Sequence, residues 1–332
     1  MCGLCVAQPT AGRAALPYSG RMTPPYAPRR HATPTTLPLR GVHQRVWQWG
    51  DASLATPERP PLVLVHGWMD VAASYQFVVD ALALAEGFAR WVIAPDWRGF
   101  GHSTPPPGTD SYWFPDYLAD LDALLDALAP AERHPRIDLA GPSMGGNVVM
   151  SYAGVRPARI RRLINLEGFG LPATQPQQAP RRLQQWLDEL KTPQALRDYA
   201  SVDEVAARLM KNNPLLPPDK AAWLAPHWSE QRPDGRWHIR GDPAHKRVNP
   251  VLYRVDEVLE TWKCITAPLL WVEGDRTDVA KWWGHRYPRS EFDERLAVVG
   301  APVTRAVLSP AGHMLHHDQP EALAAELAAF LR

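Results

Sequence analysis

Ser143 and His313 are the two side chains of this sequence best placed for acyl chemistry. Ser143 sits in Gly141-Pro142-Ser143-Met144-Gly145, and His313 in Ser309-Pro310-Ala311-Gly312-His313-Met314. A serine hydroxyl is a weak nucleophile near neutral pH, so it needs a base to accept its proton as it attacks. The imidazole needs a carboxylate to hold its tautomer, and the developing oxyanion needs N–H donors. Around Ser143 the setting fits. Ile137 to Ala140 reads as a buried strand and Asn147 to Val155 as a helix, giving the strand, tight turn and helix of a nucleophile elbow. Such a turn strains the serine backbone and brings Gly141 and Gly145 where a side chain would clash.

The elements that must position these groups alternate along the chain. Strand-like runs cover Val42–Trp49, Leu62–Val65, Trp91–Ala94, Leu163–Leu166, Leu269–Val272 and Ala306–Leu308. Helical spacing appears over Phe77–Leu84, Asp116–Leu128 and Glu321–Leu331. This alternation predicts an α/β fold, a mainly parallel sheet with helices on both faces. Between residues 172 and 263 the rhythm breaks into helical patches separated by prolines. Trp186, Trp223, Trp228, Trp237 and Trp262 are scattered through this segment, and Asp234-Gly235 reads as a tight turn. The segment is expected to be a helical lid inserted into the core, which then comprises residues 38–171 and 264–332. Its tryptophans are expected either to line an apolar acyl pocket or to hold the lid together. Residues 1–37 carry many prolines and no periodicity, so an unstructured extension is expected there. Met22 offers an alternative start.

Composition sets limits on partners and location. With 332 residues, 45% hydrophobic and 21% charged, the chain has the make-up of an ordinary globular protein. A formal net charge of +1 supplies no attraction for nucleic acid or an anionic membrane. No apolar run reaches membrane-span length, and no signal-peptide core is present, which makes the cytoplasm the expected location. Cys2 and Cys5 form a C-x-x-C with no βα unit around it, and Cys264 stands apart, so neither a disulfide framework nor a redox site is expected. His316 and His317 follow His313 closely, but the run lacks the Cys or carboxylate spacing of a metal site.

Four motifs occur in order: His66-Gly67-Trp68, Asp96-Trp97-Arg98-Gly99-Phe100-Gly101-His102-Ser103, Gly141-Pro142-Ser143-Met144-Gly145-Gly146 and Gly312-His313-Met314. From about residue 38 to the C-terminus the chain resembles the α/β-hydrolase-fold superfamily. Residues 66–75 and Leu166-Glu167-Gly168-Phe169-Gly170 are most similar to serine hydrolase-like proteins. The resemblance implies that Ser143 is the nucleophile, that His313 is the base, and that the N–H groups of Trp68 and Met144 form the oxyanion hole. It implies no cofactor and no metal. The glycine-bearing loop at 96–103 reads as a rigid turn rather than a phosphate cradle, and His66 as structural.

The acid is less clear-cut. Relatives carry an aspartate on the loop after the strand at Leu269–Val272, often as Gly-x-x-Asp, but here Thr277 holds that position between Asp275 and Asp278. Asp278 is the first expectation and Asp275 the second. Glu167 is the third, because some haloalkane dehalogenases look similar in carrying the acid at that earlier strand end. Pro142 also departs from the usual His or Asn, removing a polar side chain before the nucleophile. The expected activity is cofactor-independent hydrolysis of a carboxylic ester or related acyl substrate, small, apolar or aromatic, through an acyl-enzyme. The alternatives are a C–C bond hydrolase with the same triad and a non-catalytic ligand-binding member of the fold. Dehalogenase or epoxide hydrolase chemistry would call for aspartate in place of Ser143.

Overall fold

The computed structural model describes residues 24–332, so Cys2, Cys5 and Met22 lie outside the described residues. Eight strands form the central sheet: β1 (Thr33–Leu39), β2 (Val42–Trp49), β3 (Leu62–Leu64), β4 (Val92–Pro95), β5 (Ile137–Pro142), β6 (Ile160–Leu166), β10 (Leu269–Gly274) and β11 (Val303–Leu308). Three further short strands lie between β6 and β10: β7 (Asp198–Tyr199), β8 (Ser229–Gln231) and β9 (Trp237–Ile239). The sheet order is β1-β2-β4-β3-β5-β6-β10-β11. The β1–β2 and β2–β4 pairs are antiparallel and all others parallel, which bears out the expected α/β architecture.

Strand periodicity divides the core into two layers, because successive side chains leave opposite faces. Val63, Ile93, Leu139, Leu163 and Leu269 point to one face, while Leu62, Leu64, Val92, Ala140 and Ile164 point to the other. On the second face lie α1 (Gln76–Leu82) and the closing helix α11 (Pro320–Phe330), through Val78, Val79, Leu323 and Leu327. The first face is covered by α2 (Phe114–Leu128) and α3 (Ser143–Val155), through Leu121, Leu124, Val148 and Val149.

Residues 33–37, expected to be unstructured, belong to β1, whose seven residues pair with β2. Just before it, Tyr26 and the backbone N–H groups of Arg29 and Arg30 all donate to the Asp80 carboxylate. Proline-rich composition hid a sheet-edge strand, the one place in a sheet that tolerates Pro34 and Pro38.

The inserted segment follows β6. It contains α4 (Ala179–Leu190), β7, α5 (Val202–Asn212), α6 (Pro218–Trp228), β8, β9 and α7 (Val255–Lys263). The tight turn at Asp234-Gly235 closes the β8–β9 hairpin, with Gly235 at φ 79°. A small sheet, β7-β9-β8, therefore joins the expected helices. At its C-terminal end, α7 packs on α3 as part of the core. Trp262 is 2% exposed, and a Cβ on Gly154 of α3 would lie 2.1 Å from Thr261 O. His245 of the segment also stacks against Phe100 of the 96–103 loop and against Tyr112, with ring centroids 3.8 and 3.6 Å away.

The remaining helices are α8 (Val279–Trp283), α9 (Arg289–Leu296) and α10 (Leu315–Asp318). At the far end of the elbow strand, Asp138 accepts from Arg90 Nη1 at 2.6 Å and from Arg161 Nε and Nη2 at 2.9 and 2.6 Å. Asp138 is fully buried and Arg90 is 2% exposed. Asp138→Ala would leave the Arg90 guanidinium buried without its carboxylate, a loss of about 3–5 kcal/mol. Urea denaturation checks this, and an unchanged midpoint would show that solvent relieves the arginine.

Candidate active site

β5, paired on both sides, delivers Ser143 to the C-terminal end of the parallel strands, and the local sequence explains its posture. Ser143 takes φ 51°, a left-handed conformation that costs free energy for a non-glycine residue. Close packing around it requires the flanking glycines. A Cβ on Gly141 would stand 2.6 Å from Gly145 C, and one on Gly145 would stand 2.6 Å from His66 O. Substitution at either site would push the elbow off the sheet.

The loop after β3 lies directly against this turn. A Cβ on Gly67 would be 3.4 Å from both Pro142 O and Ser143 Cβ, so the Trp68 backbone is held beside the serine. Met144 lies in the first turn of α3, where a helix leaves its N–H groups unused by its own ladder. Both expected oxyanion residues therefore flank Ser143. Behind them His66 is fully buried, its Nε2 accepting from Trp97 N at 2.9 Å and its Nδ1 2.7 Å from Gly67 O. That pairing matches its expected structural role.

The carboxylate that meets His313 is neither the first nor the second expectation. Asp278 caps α8 by accepting from Ala280 N at 3.0 Å, and it is exposed. Asp275 accepts from Ser309 Oγ at 2.6 Å and Ala311 N at 2.9 Å, so it anchors the loop leading to His313. Those hydrogen bonds, Ser309 first, hold its carboxyl below the ordinary range. Neither aspartate meets His313. Glu167 does: its Oε2 lies 2.6 Å from His313 Nδ1 and also accepts from Thr277 Oγ1 at 2.9 Å. Its Oε1 accepts from Gly274 N at 2.7 Å.

The reason is geometric. Glu167 adopts φ 58° at the end of β6, which turns its fully buried side chain across β10 toward the histidine loop. Thr277, at the position where relatives carry the aspartate, is a hydrogen-bond donor to that carboxylate instead of its replacement. In the sequence, a threonine at the expected acid site together with a glutamate at the preceding strand end was the available signal.

Sequence reading also missed a cross-brace between the loops that carry Trp68 and His313. Asp70, two residues after Trp68, lies 3.0 Å from His316 Nε2, three residues after His313. It also accepts from Val71 N and Ser74 Oγ. Burial alone would raise the Asp70 carboxyl, but the hydrogen bond and charge of His316 win and hold it below the carboxylate range. Among the described residues, Asp70, His316 and His317 bring three potential ligand atoms within 4.8 Å of one another, a grouping the spacing of 313–317 alone did not suggest. Another unforeseen neighbour is Trp282, whose ring meets His313 edge-on at 4.6 Å.

Ser143, Glu167 and His313 all face one cavity of about 1220 Å³. Its walls are largely apolar and aromatic, as expected, but the tryptophans differ from those anticipated. Trp68, Trp113, Trp282 and Trp283 come from the core portions of the chain, and Trp262 alone of the five in the inserted segment lines the cavity. Trp223, Trp228 and Trp237 pack against a separate apolar cluster that the segment shares with Val71, Ala73 and Phe77 of the core. Trp186 instead donates to Ser111 Oγ at 3.1 Å. The 96–103 loop is a rigid turn. Asp96 accepts from Ala72 N and His102 N at 2.8 and 2.9 Å, and burial raises its pKa to about 6.

Several buried imidazoles make stability depend on pH. Burial lowers His66 to about 4, and His245 and His317 to about 3. In the unfolded chain these rings gain protons near pH 6.5. The unfolded state therefore binds more protons below that pH, and stability falls as pH drops. Each ring contributes about 1.4 kcal/mol per pH unit, so three together lose roughly 4 kcal/mol by pH 5.5. Urea midpoints at pH 7.5 and 5.5 check this; equal midpoints would contradict it.

Comparisons with known proteins agree with this architecture. The family model described as "alpha/beta hydrolase fold" matches residues 60–320. The chain is 23% identical over 326 residues to a serine hydrolase-like protein of Danio rerio, covering 94% of each. It is 36% identical over 114 residues to a 2-hydroxy-6-oxo-2,4-heptadienoate hydrolase of Pseudomonas putida, covering 33% of this chain and 38% of the relative. Among solved structures, the thioesterase domain from the curacin biosynthetic pathway superposes with a TM-score of 0.72 at 26% identity, covering 90% of this chain and 99% of that one. Among the described residues no helix is long and apolar enough to cross a membrane. The chain belongs to the α/β-hydrolase family.

Proposed function

We propose that the chain is a serine hydrolase that cleaves a carboxylic ester or related acyl bond through an acyl-enzyme, with Ser143, His313 and Glu167 as its triad. The observation that carries this reading is the 2.6 Å contact between His313 Nδ1 and Glu167 Oε2, in a cavity shared with Ser143. With Nδ1–H donated to the carboxylate, Nε2 keeps the lone pair that a general base needs.

Ser143 Oγ adds to the acyl carbon while its proton passes to His313 Nε2. The N–H groups of Trp68 and Met144 stabilise the oxyanion. As the tetrahedral species collapses, His313 returns the proton to the leaving group. A water then repeats the sequence on the acyl-enzyme and frees the acid. Glu167 remains ionised throughout and stabilises the imidazolium. Residues 172–254 act as a lid over the cavity, while α7 belongs to the core.

The partial match to a C–C bond hydrolase favours one second reading, since the same triad would serve there. Turnover on p-nitrophenyl esters and acyl thioesters, set beside vinylogous diketones, distinguishes them. Ester or thioester cleavage supports the first reading. Cleavage of diketones alone supports the second, and neither reaction would leave a ligand-binding member of the fold.

A further inference from the structure

We infer that the acyl substrate also carries an anionic group, a carboxylate or a phosphate, held by Arg182 and Arg286 in the cavity that contains Ser143. This rests on the hydrolase reading above and deepens it. Beside the serine the wall carries Met144, and Phe169 meets the Trp282 ring that lies against His313. Elsewhere it changes character. Arg182 projects from α4 beside Gln178 and Asn249, and Arg286 follows α8, four residues after Trp282, whose ring meets His313.

Arg182 is half-buried and Arg286 exposed, and both line an otherwise mostly apolar wall. Among the described residues neither makes a salt bridge. Each donates only one long bond to a carbonyl, Arg182 Nη1 to Asn249 O at 3.4 Å and Arg286 Nε to Trp283 O at 3.4 Å. Most of each fork is thus left open, and a planar fork of donors matches carboxylate or phosphate oxygens.

The anions of the wall do not cancel this charge. Glu167 is committed to His313, Thr277 and Gly274. A third arginine of the wall, Arg254, is already paired with Asp256 at 3.1 Å. Glu257 is the one other carboxylate of the lining, which leaves two open cations against one open anion. A cavity of about 1220 Å³ also exceeds what a short neutral acyl group fills, and leaves room for a second recognition point.

The test compares kcat/KM for p-nitrophenyl hexanoate with two anionic partners on the full chain. The mono-p-nitrophenyl ester of adipate places a carboxylate on the acyl side, and hexanoyl-phosphopantetheine, set against hexanoyl N-acetylcysteamine, places a phosphate on the leaving side. At least one anionic partner is expected to exceed its neutral counterpart by ~10-fold or more, as a charge-assisted hydrogen bond supplies. In Arg182→Gln/Arg286→Gln that ratio should fall toward one, and the arm that responds identifies the source of the anion. Ratios near one in the wild type, or a preference that survives the double substitution, would overturn the inference. If no substrate turns over, the hydrolase reading has failed and the anion site is still readable. Tryptophan fluorescence of Ser143→Ala titrated with hexanamide and with adipamate then decides it, equal affinities counting against the inference.

Discussion

Ser143→Ala is expected to lose ester turnover by ~10³-fold or more while keeping its fold. The hydroxyl is the only atom lost, and nothing buried in the core depends on it. Without it His313 has no proton to accept, and no covalent intermediate forms. Residual hydrolysis would come from water attacking an acyl group still held near the Trp68 and Met144 amides. The left-handed backbone at Ser143 tolerates alanine at a cost similar to serine's, so the urea midpoint should hardly move. Turnover equal to wild type in a preparation free of other esterases would remove Ser143 from the chemistry.

The second large effect belongs to Glu167. Glu167→Gln keeps the size of the side chain and can still accept from Gly274 N. Its amide N–H2, however, would then face Thr277 Oγ1 and His313 Nδ1, where the carboxylate now accepts. The donor favours the imidazole tautomer with its lone pair on Nδ1 and its proton on Nε2, the wrong end for a base. The imidazolium formed during attack also loses its counter-charge. Turnover should fall by ~10²–10⁴-fold. Asp278→Asn should retain near-normal turnover, because Asp278 only caps a short exposed helix. Asp275→Asn should mainly loosen the 309–311 turn, lowering stability before activity. A crippled Asp278→Asn beside an active Glu167→Gln would reverse the assignment.

Much of this was legible in the sequence because it depends on local patterns. Short, mainly apolar runs ending in glycine-bearing turns specify parallel strands and their loops, and Gly141 and Gly145 mark the elbow through steric need alone. The carboxylate partner of His313 was not legible for the opposite reason. Glu167, Thr277 and His313 are separated by more than a hundred residues or by a whole strand and loop, and only the left-handed turn at Glu167 aims its carboxylate. Counting positions after β10 favoured Asp278, because spacing along a loop says nothing about which way the loop folds. The same limit hid Asp70 from His316, a contact between residues 246 positions apart. The strand at 33–39 was missed because its prolines read as disorder until its partner β2 was placed beside it. The tryptophans of the inserted segment were assigned collectively, whereas packing divides them one by one.

The account turns on one linked set, a serine activated by His313 and an imidazole oriented by Glu167. Covalent labelling with a fluorophosphonate, followed by peptide mapping in a mass spectrometer, reads that set directly and needs no knowledge of the natural substrate. The expected result is a single adduct on Ser143. It should form rapidly in the wild type, be absent from Ser143→Ala, slow strongly in His313→Ala and Glu167→Gln, and form at the wild-type rate in Asp278→Asn. An adduct on another serine, or labelling of Ser143 at an unchanged rate in Glu167→Gln, would contradict it.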